Sequence, residues 1–554
     1  MDYKSGSRTV DCRWQRLLLL GVTVIFFVSC LILIFDMPRL FVSPDALANY
    51  LFSSELAENS RLHLFEPMNL ELDDSLYPRS TFSIQGRVLP VSFLGLPFLY
   101  GLIAKLVGIG GMLLITPILA GLAIFAWRGI VARLYNDRVA LLSAILLAVH
   151  PAWWYYTARG MMHNVLFVSL LIFALWFLVV RPIKSKRFSP NLLGSGLLFG
   201  LALFVRTSEI VWLLPVAILV IGFFWKKLSW KPVVIFFVSI LIALIPMFAI
   251  NNSLYGSPTS FGYLSQIDSG AQTYDQPPSE QIETIVSEPV QSVLPFGFDF
   301  RAMVKHMIDY GFNMFWWISF LTVIGLLLAF YKIREPKTGR DRPRWAFHAS
   351  FFLIGIALSI LYGSWTFTDN PDPNSLTIAN SYIRYWLPIF VMTTVYAGIA
   401  LTWLREKMMY ERTAKFTSLA LLLIIVLLGF RTTFFTVDDG LYFIRTNLIR
   451  SAEIKETVLE LTEEDSVIIV DRADKIFYPE RLVRYPLRDD LTYELMPRIV
   501  IRAPLYYYGI TFPESDIEYL NTKKLAEMDL QIELIQTFDQ ESLYRIYPQP
   551  VPDP

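Results

Sequence analysis

The chain has 554 residues, of which 54% are hydrophobic and only 17% are charged. Soluble globular proteins carry roughly 25% charged residues, so this composition excludes a soluble enzyme. The 48 basic and 48 acidic residues balance, and Cys12 and Cys30 are the only cysteines. Net charge therefore does not favour a nucleic acid partner, and a disulfide framework is excluded. The composition predicts an α-helical polytopic membrane protein.

Eleven apolar segments are predicted to span the membrane. Each approaches the roughly 20 residues that cross the hydrocarbon layer, and the first lacks the small-residue cleavage site of a signal peptide. Half of the 48 basic residues fall in the N-terminal segment and in alternate short loops. Loops of this kind face the cytoplasm, which places the N-terminus inside and the C-terminus outside. The predicted spans are 15–35, 109–127, 139–158, 163–180, 192–205, 207–225, 232–250, 312–331, 346–364, 385–404 and 416–435.

One further apolar segment, 88–107, is predicted to be an interfacial or re-entrant helix on the outer side. Counting it as a span would move every later basic loop outside, and Pro90 and Pro97 disfavour an unbroken helix. It ends the first of two long outer loops, 36–108, which opens with a helix-like stretch. The second loop, 251–311, is rich in Ser, Gln, Pro and Gly and is predicted to be irregular.

The predicted organisation has two domains. Residues 1–436 form the membrane domain, and residues 437–554 form a small α/β domain on the extracytoplasmic side. The apolar run VIIV at 467–470 and the stretch 530–547 are typical of strands.

Asp45 directly follows Pro44 after the first span and begins the stretch PDALANYLFSSELAEN. An acidic residue in a first helical turn is also what an ordinary helix start contains. The functional alternative is a general base that takes a proton from an acceptor hydroxyl or amine. Tyr50, one or two turns further on, is expected to face the same cavity.

Arg206 lies between two apolar segments with almost no loop, and Glu209 follows it by three residues. An arginine at membrane depth usually faces a cavity or a partner. The pair could be a structural Arg–Glu contact at the outer interface. A guanidinium that binds phosphate in bidentate fashion is the alternative we favour.

Arg384 raises the same question at the outer end of the tenth span, where Tyr382 and Tyr385 flank it. It could be an arginine that reaches the interface, but two such arginines also suit an anionic lipid headgroup. Arg79 and Arg87 in the first outer loop are secondary phosphate-binding residues in this interpretation. Arg206, Arg384, Tyr382 and Glu209 are the principal predicted substrate contacts.

The aromatic run Trp153–Tyr156 is typical of an interfacial belt, and His163 and Asn164 follow it at the next outer turn. These two residues are predicted substrate contacts, because a histidine there can donate to a phosphate. A divalent metal at His163 is the weaker alternative, and no motif requires a cofactor. The sequence contains no Walker A loop, dinucleotide glycine fingerprint, HExxH or G-x-S-x-G.

As an ordered set, these features resemble the GT-C class of multispanning glycosyltransferases. The set comprises the early aspartate, KLVG, RLYNDRVALLSAILLAVHPAWWYYTARGMMHN, GLLFGLALFVRTSE and RYWLPIF. The most similar members are the relatives of protein O-mannosyltransferases and of the aminoarabinose transferase that modifies lipid A. The resemblance covers most of residues 10–430. Where many members have an acidic residue after the third span, this chain has His163 and Asn164.

The resemblance implies transfer of a sugar from a polyprenyl-phosphate donor to a lipid, glycan or protein acceptor at the outer face of the plasma membrane. Asp45 matches the family's first-loop aspartate, and Arg206 and Arg384 match basic residues near the lipid-linked phosphate. Two alternatives stay open: a transporter or flippase of a lipid-linked or anionic substrate, and a catalytically silent membrane scaffold. The sugar, the acceptor and the carrier length are undetermined. The sequence also does not distinguish a prokaryotic plasma membrane from an endoplasmic reticulum membrane.

Overall fold

The structure is a computed structural model that describes residues 7–180, 190–263, 265, 297–333, 341–367, 369, 375–408 and 410–550. Most of the second predicted outer loop lies outside the described residues. The described part is mainly helical. Its α-helices are Ser7–Asp36, Pro44–Asn59, Gly95–Val107, Ile109–Met112, Ile115–Leu134, Asp137–Ala148, Pro151–Arg159, His163–Val179, Pro190–Val205, Ile210–Phe224, Trp230–Tyr255, Phe300–His306, Trp316–Ile333, Asp341–Gly363, Ser381–Tyr385, Leu387–Lys407, Glu411–Phe435, Leu441–Leu461, Asp474–Phe477, Asp490–Val500 and Glu514–Tyr519.

Within the described ranges, eight helices are long and apolar enough to cross a membrane. A ninth candidate is the helix pair that meets at His150, bent by 47° because Pro151 cannot continue the helical hydrogen bonds. Two more predicted spans coincide with the shorter apolar helices His163–Val179 and Pro190–Val205. The predicted polytopic helical fold is confirmed, whereas the count of eleven spans stays a prediction. The eight are Arg13–Asp36, Ile109–Leu134, Thr207–Phe224, Trp230–Tyr255, Phe300–Tyr331, Arg342–Gly363, Leu387–Lys407 and Phe416–Phe435.

The segment predicted to be interfacial or re-entrant contains the helix Gly95–Val107 of 13 residues. At about 1.5 Å per residue this helix is shorter than the roughly 30 Å hydrocarbon layer. Its last turn exposes Leu106 and Val107. A short helix with exposed apolar residues agrees with a segment that does not span, and its interfacial position stays a prediction.

The chain forms two compact units. The membrane unit consists of Met1–Phe35, Leu113–Phe248 and Thr273–Ile444, and the sheet unit of Asp36–Met112, Ala249–Gln272 and Arg445–Pro554. The domain boundary predicted from the sequence lies instead at residue 436. The difference has a physical cause, because Leu72 and Leu76 of the first outer loop are buried in the same apolar core as the C-terminal strands.

The first outer loop contains a small antiparallel sheet that the sequence analysis did not predict. Its strands are β1 (Leu64–Phe65), β2 (Thr81–Ile84) and β3 (Arg87–Pro90), in the order β1-β3-β2. Gln85 and Gly86 connect β2 to β3 with φ values of 52° and 75°, as the tight hairpin turns that match strand twist require. The Asp74 carboxylate accepts hydrogen bonds from both turn amides.

The C-terminal part of the sheet unit is a five-stranded mixed sheet. Its strands are β4 (Val467–Val470), β5 (Leu482–Arg484), β6 (Leu505–Ile510), β7 (Leu530–Phe538) and β8 (Glu541–Pro548), in the order β5-β4-β6-β8-β7. The central strand β4 is buried along its length and pairs in parallel with β5 and β6, while β8 pairs antiparallel with β6 and β7. The β-branched residues of β4 suit a strand that is covered on both faces. The predicted α/β fold and its strands at 467–470 and 530–547 are confirmed.

Because the first outer loop packs into the sheet core, truncation of a buried leucine in this loop should destabilise the protein more than truncation of an exposed one. Leu76 is fully buried there, whereas Leu70 is 58% exposed. We expect Leu76→Ala to lower the free energy of unfolding by about 2–5 kcal/mol, because it leaves a cavity. The matched variant Leu70→Ala should change it by less than about 0.5 kcal/mol. Denaturant unfolding of the purified protein in detergent measures both, and equal effects would contradict the shared core.

Candidate functional site

Arg206 is the centre of a buried polar cluster in the membrane unit. It follows the helix Pro190–Val205, and its residue exposure is only 7%. Its Nε and Nη2 atoms donate to Glu209 Oε1 at 2.8 and 2.6 Å. The Tyr362 hydroxyl donates to the same oxygen at 2.8 Å, and Trp212 Nε1 donates to Glu209 Oε2. Glu209 is therefore engaged through both oxygens, which fixes the guanidinium in one orientation.

The Tyr385 ring brings Arg206 and Arg384 together. The guanidinium carbon of each arginine lies 5.0 Å from the centroid of this ring, so the two carbons are separated by no more than twice that distance. The Tyr362 ring stacks on Tyr385 at 4.3 Å and is inclined by only 8°. Two guanidinium groups that the sequence separates by 178 positions thus share one aromatic contact. Guanidinium groups can bind phosphate oxygens in bidentate fashion, so two of them at one ring form a candidate phosphate site.

Arg384 lies on the short helix Ser381–Tyr385, which has defined hydrogen bonds at its start. Asp369 Oδ2 accepts from the Ser381 amide at 2.8 Å, and Asn380 Oδ1 accepts from the Tyr382 amide at 3.2 Å. The half-buried Arg384 contacts the Met162 sulfur through Nη1 at 4.0 Å. Arg384 is therefore next to the residue that immediately precedes His163.

His163 and Asn164 are the first two residues of the helix His163–Val179, and both are buried. They lie in the membrane unit with the two arginines, and their substrate contacts stay a prediction. No three His, Cys, Asp or Glu residues within the described ranges are grouped closely enough to hold a metal ion.

The side chain of Tyr382 contacts different residues from the side chain of Arg384. Its hydroxyl donates to the carbonyl oxygen of Trp365 and accepts from the Phe367 amide at 3.4 Å. Its ring stacks on His306 at 4.5 Å. The described contacts therefore hold Tyr382 in a local packing role, and its predicted contact with substrate stays a prediction.

The aromatic run before His163 is buried within the protein and does not form the predicted interfacial belt. Tyr155 and Tyr156 have 0% exposure, and Trp153 and Trp154 are also buried. The Tyr156 hydroxyl donates to the Ala379 carbonyl at 2.9 Å, because the helix Pro151–Arg159 packs against the segment that leads to Arg384. Sequence alone could not distinguish a lipid-facing run from a buried one.

Arg159 and Asp439 add charge to the same unit, and neither was among the predicted site residues. The Arg159 guanidinium lies 5.4 and 5.8 Å from the centroids of Tyr155 and Tyr156. Burial raises the pKa of the Asp439 carboxyl, while its hydrogen bond with Thr377 and the charge of Arg159 lower it. Asp439 follows the last predicted span, and no periodic pattern in the sequence singles it out.

Asp45 lies at the start of the helix Pro44–Asn59 in the sheet unit, as the sequence predicts. It is half-buried, and its Oδ1 atom accepts a hydrogen bond from the Ser80 hydroxyl at 2.7 Å. Tyr50 follows five residues later, which is about 140° around a helix of 3.6 residues per turn. Its ring contacts Phe41 at 5.0 Å, so Tyr50 and Asp45 do not share a helix face.

Arg79 and Arg87, the secondary phosphate-binding residues of the sequence analysis, occupy different settings. Arg79 donates through Nε and Nη2 to Asp474 Oδ1, at 3.0 and 2.8 Å. Arg87 begins β3 and pairs with Phe65 of β1 and Ile84 of β2. Two donor atoms of Arg79 are thus already engaged by a carboxylate, and phosphate binding by either arginine stays a prediction.

Comparison with known proteins agrees with this architecture. Residues 94–250 match the family model described as dolichyl-phosphate-mannose-protein mannosyltransferase, and no curated protein matches the chain. The chain is similar to the ArnT structure from Cupriavidus metallidurans bound to undecaprenyl phosphate. The TM-score is 0.55 and the identity 14%, with 96% of this chain and 97% of that chain covered.

A second similar structure is the apo oligosaccharyltransferase of Archaeoglobus fulgidus. Its TM-score is 0.54 and its identity 13%, with 92% of this chain and 70% of that chain covered. The archaeal oligosaccharyltransferase AglB from Archaeoglobus fulgidus, in complex with an inhibitory peptide and a dolichol-phosphate, matches with a TM-score of 0.53 and 12% identity. That match covers 93% of this chain and 71% of that chain.

These findings define the class of fold. The chain has the GT-C fold of multispanning glycosyltransferases, and the predicted resemblance to that class is confirmed. Similar structures include ArnT in complex with undecaprenyl phosphate and AglB in complex with dolichol-phosphate.

Proposed function

We propose that this protein is a membrane glycosyltransferase that uses a polyprenyl-phosphate-linked sugar as its donor. The observation that carries the proposal is the placement of Arg206 and Arg384 at 5.0 Å from one Tyr385 ring. Arg206 Nε and Nη2 are held by Glu209 and Tyr362, and no described residue accepts a hydrogen bond from Nη1. That nitrogen is available to a ligand phosphate.

The reaction follows from the chemistry of the donor. The acceptor nucleophile attacks the anomeric carbon, and the bond from this carbon to the phosphate oxygen breaks. Polyprenyl phosphate leaves with the bonding electron pair, and the acceptor proton passes to the Asp45 carboxylate. Arg206 and Arg384 stabilise the charge that develops on the leaving phosphate. A single displacement of this kind inverts the anomeric configuration.

We also propose which partners the protein binds and where it lies. ArnT bound to undecaprenyl phosphate and AglB with dolichol-phosphate support a lipid-linked donor. The acceptor is a lipid, glycan or protein at the extracytoplasmic face. We place the protein in the plasma membrane, and the charge distribution of the loops supports a cytoplasmic N-terminus and an extracytoplasmic sheet domain.

Incubation of the purified protein with a panel of polyprenyl-phosphate sugars tests the proposal. We expect release of polyprenyl phosphate at a rate that rises when a suitable acceptor is present. A transporter would instead move an unchanged lipid or anion across a proteoliposome, and a scaffold would do neither. Intact donor after long incubation with every sugar and acceptor would reject the transferase function.

A further inference from the structure

The sheet unit contains a buried ion pair that joins the first outer loop to the C-terminal sheet. Asp474 follows the carboxyl end of β4, and its side chain is 0% exposed, while that of Arg79 is 11% exposed. Asp474 Oδ2 accepts from the Arg79 amide at 2.9 Å, and Oδ1 accepts from the guanidinium. The Arg472 carbonyl also accepts from Arg79 Nη2, at 2.9 Å. Arg79 is therefore held through its backbone and its side chain.

The residue after Arg79 connects this ion pair to Asp45. Ser80 has a left-handed backbone with φ of 62°, which a serine adopts only when its surroundings impose it. In that conformation its hydroxyl donates to Asp45 Oδ1 at 2.7 Å. The hydrogen bond orients one oxygen of the carboxylate that the proposed mechanism uses as its base.

A second contact holds the chain on the other side of Asp45. Lys475, the neighbour of Asp474, donates through Nζ to the Val42 carbonyl at 2.5 Å. Val42 lies three residues before Asp45, on the segment that leads into the helix Pro44–Asn59. Two adjacent residues of the C-terminal segment thus bind both chain segments that determine where Asp45 lies.

We propose that Asp474 is a positioning residue for Asp45, acting through Arg79 and Ser80, and that Lys475 supports the same arrangement. The inference rests on the proposed function, because it gives Asp45 the role of base. It assigns the C-terminal sheet a part in the reaction: the sheet keeps the carboxylate in the orientation that proton transfer requires. Catalysis is sensitive to such placement, since a displacement of about 1 Å can cost about 10²-fold in rate.

Kinetics of Asp474→Asn, Ser80→Ala and the double variant test the inference. We expect each single change to lower kcat by roughly 10-fold to 10²-fold, with little change in the KM for the lipid donor. The double variant should be no slower than the slower single variant, because both act on one hydrogen bond. Arg498→Gln is the matched control, since Arg498 also joins the first loop to the C-terminal segment, through Asp73, and does not adjoin Ser80.

Hydrogen exchange supplies a readout that does not depend on turnover. The amides of Ala46 and Leu47 donate to the Ser43 carbonyl, each at 3.1 Å. We expect them to exchange faster in Asp474→Asn than in the wild type, and not in Arg498→Gln. If Asp474→Asn does not fold, Ser80→Ala gives the kinetic comparison and Lys475→Met the exchange comparison.

Additive kinetic effects, or equal effects in Arg498→Gln, would overturn the positioning role. If the wild type releases no polyprenyl phosphate from any donor, the proposed function fails, and exchange alone decides the inference. Faster exchange confined to the Asp474 and Lys475 variants would then support it, and unchanged exchange would overturn it.

Discussion

Asp45→Asn is expected to lower kcat/KM for sugar transfer by roughly 10²–10⁴-fold, the usual contribution of a general base. Asparagine keeps the shape of the side chain, and its carbonyl oxygen can still accept the Ser80 hydrogen bond. The substitution therefore removes the proton acceptor while leaving the local structure in place. Steady-state transfer, measured with the purified variant and a lipid-linked sugar, gives the result directly.

The control for this prediction is a second carboxylate in the same loop. The side chain of Asp73 is 74% exposed and pairs with the partly exposed Arg498, so Asp73→Asn should retain nearly full activity. Thermal unfolding of both variants should match the wild type. An Asp45→Asn enzyme as active as the wild type would remove Asp45 from the mechanism.

Loss of Arg384 is expected to have the second large effect. Arg384→Gln should reduce kcat/KM by roughly 10²–10³-fold, the usual cost of losing one electrostatic contact to the reacting group in a dry site. Arg384 is only half-buried, so we expect the variant to fold. Competition by free polyprenyl phosphate should weaken in parallel. Arg61→Gln provides the control, because Arg61 is an exposed arginine that pairs with Glu55.

The role of Arg206 must be tested with a double variant as well as a single one, because Glu209 is buried beside it. Arg206→Met alone leaves an uncompensated carboxylate and should lower the free energy of unfolding by about 3–5 kcal/mol. The double variant Arg206→Met with Glu209→Gln should recover much of that stability but no activity. Activity in the double variant would contradict a role for Arg206 in phosphate binding.

The membrane helices could be predicted because their signal is local. Each apolar segment must satisfy its own backbone hydrogen bonds in lipid, so length and hydropathy alone indicate a helix. The helix that begins at Pro44 and the strand β4 were likewise predicted from their own residues. The polar run from Glu66 to Arg87 carried no such signal, and its small sheet depends on distant partners such as Asp74 with the Gln85 amide.

The site could be predicted only in part, for the same reason. Charged residues in apolar surroundings single out Arg206 and Arg384, and the resemblance singles out Asp45. Tyr385 was noted only as a neighbour of Arg384, because its contact with Arg206 joins positions far apart in the chain. Ser80 and Asp474 carry no distinguishing sequence signal, since a serine in a turn and an aspartate after a strand are both common.

One measurement tests the central claim most directly: simultaneous counting of polyprenyl phosphate released and sugar attached to acceptor by the purified protein. The account predicts equal amounts of the two products from the wild type. It also predicts that Asp45→Asn and Arg384→Gln form them at least about 10²-fold more slowly. Wild-type protein that leaves every lipid-linked donor intact, or variants that form both products at the wild-type rate, would contradict it.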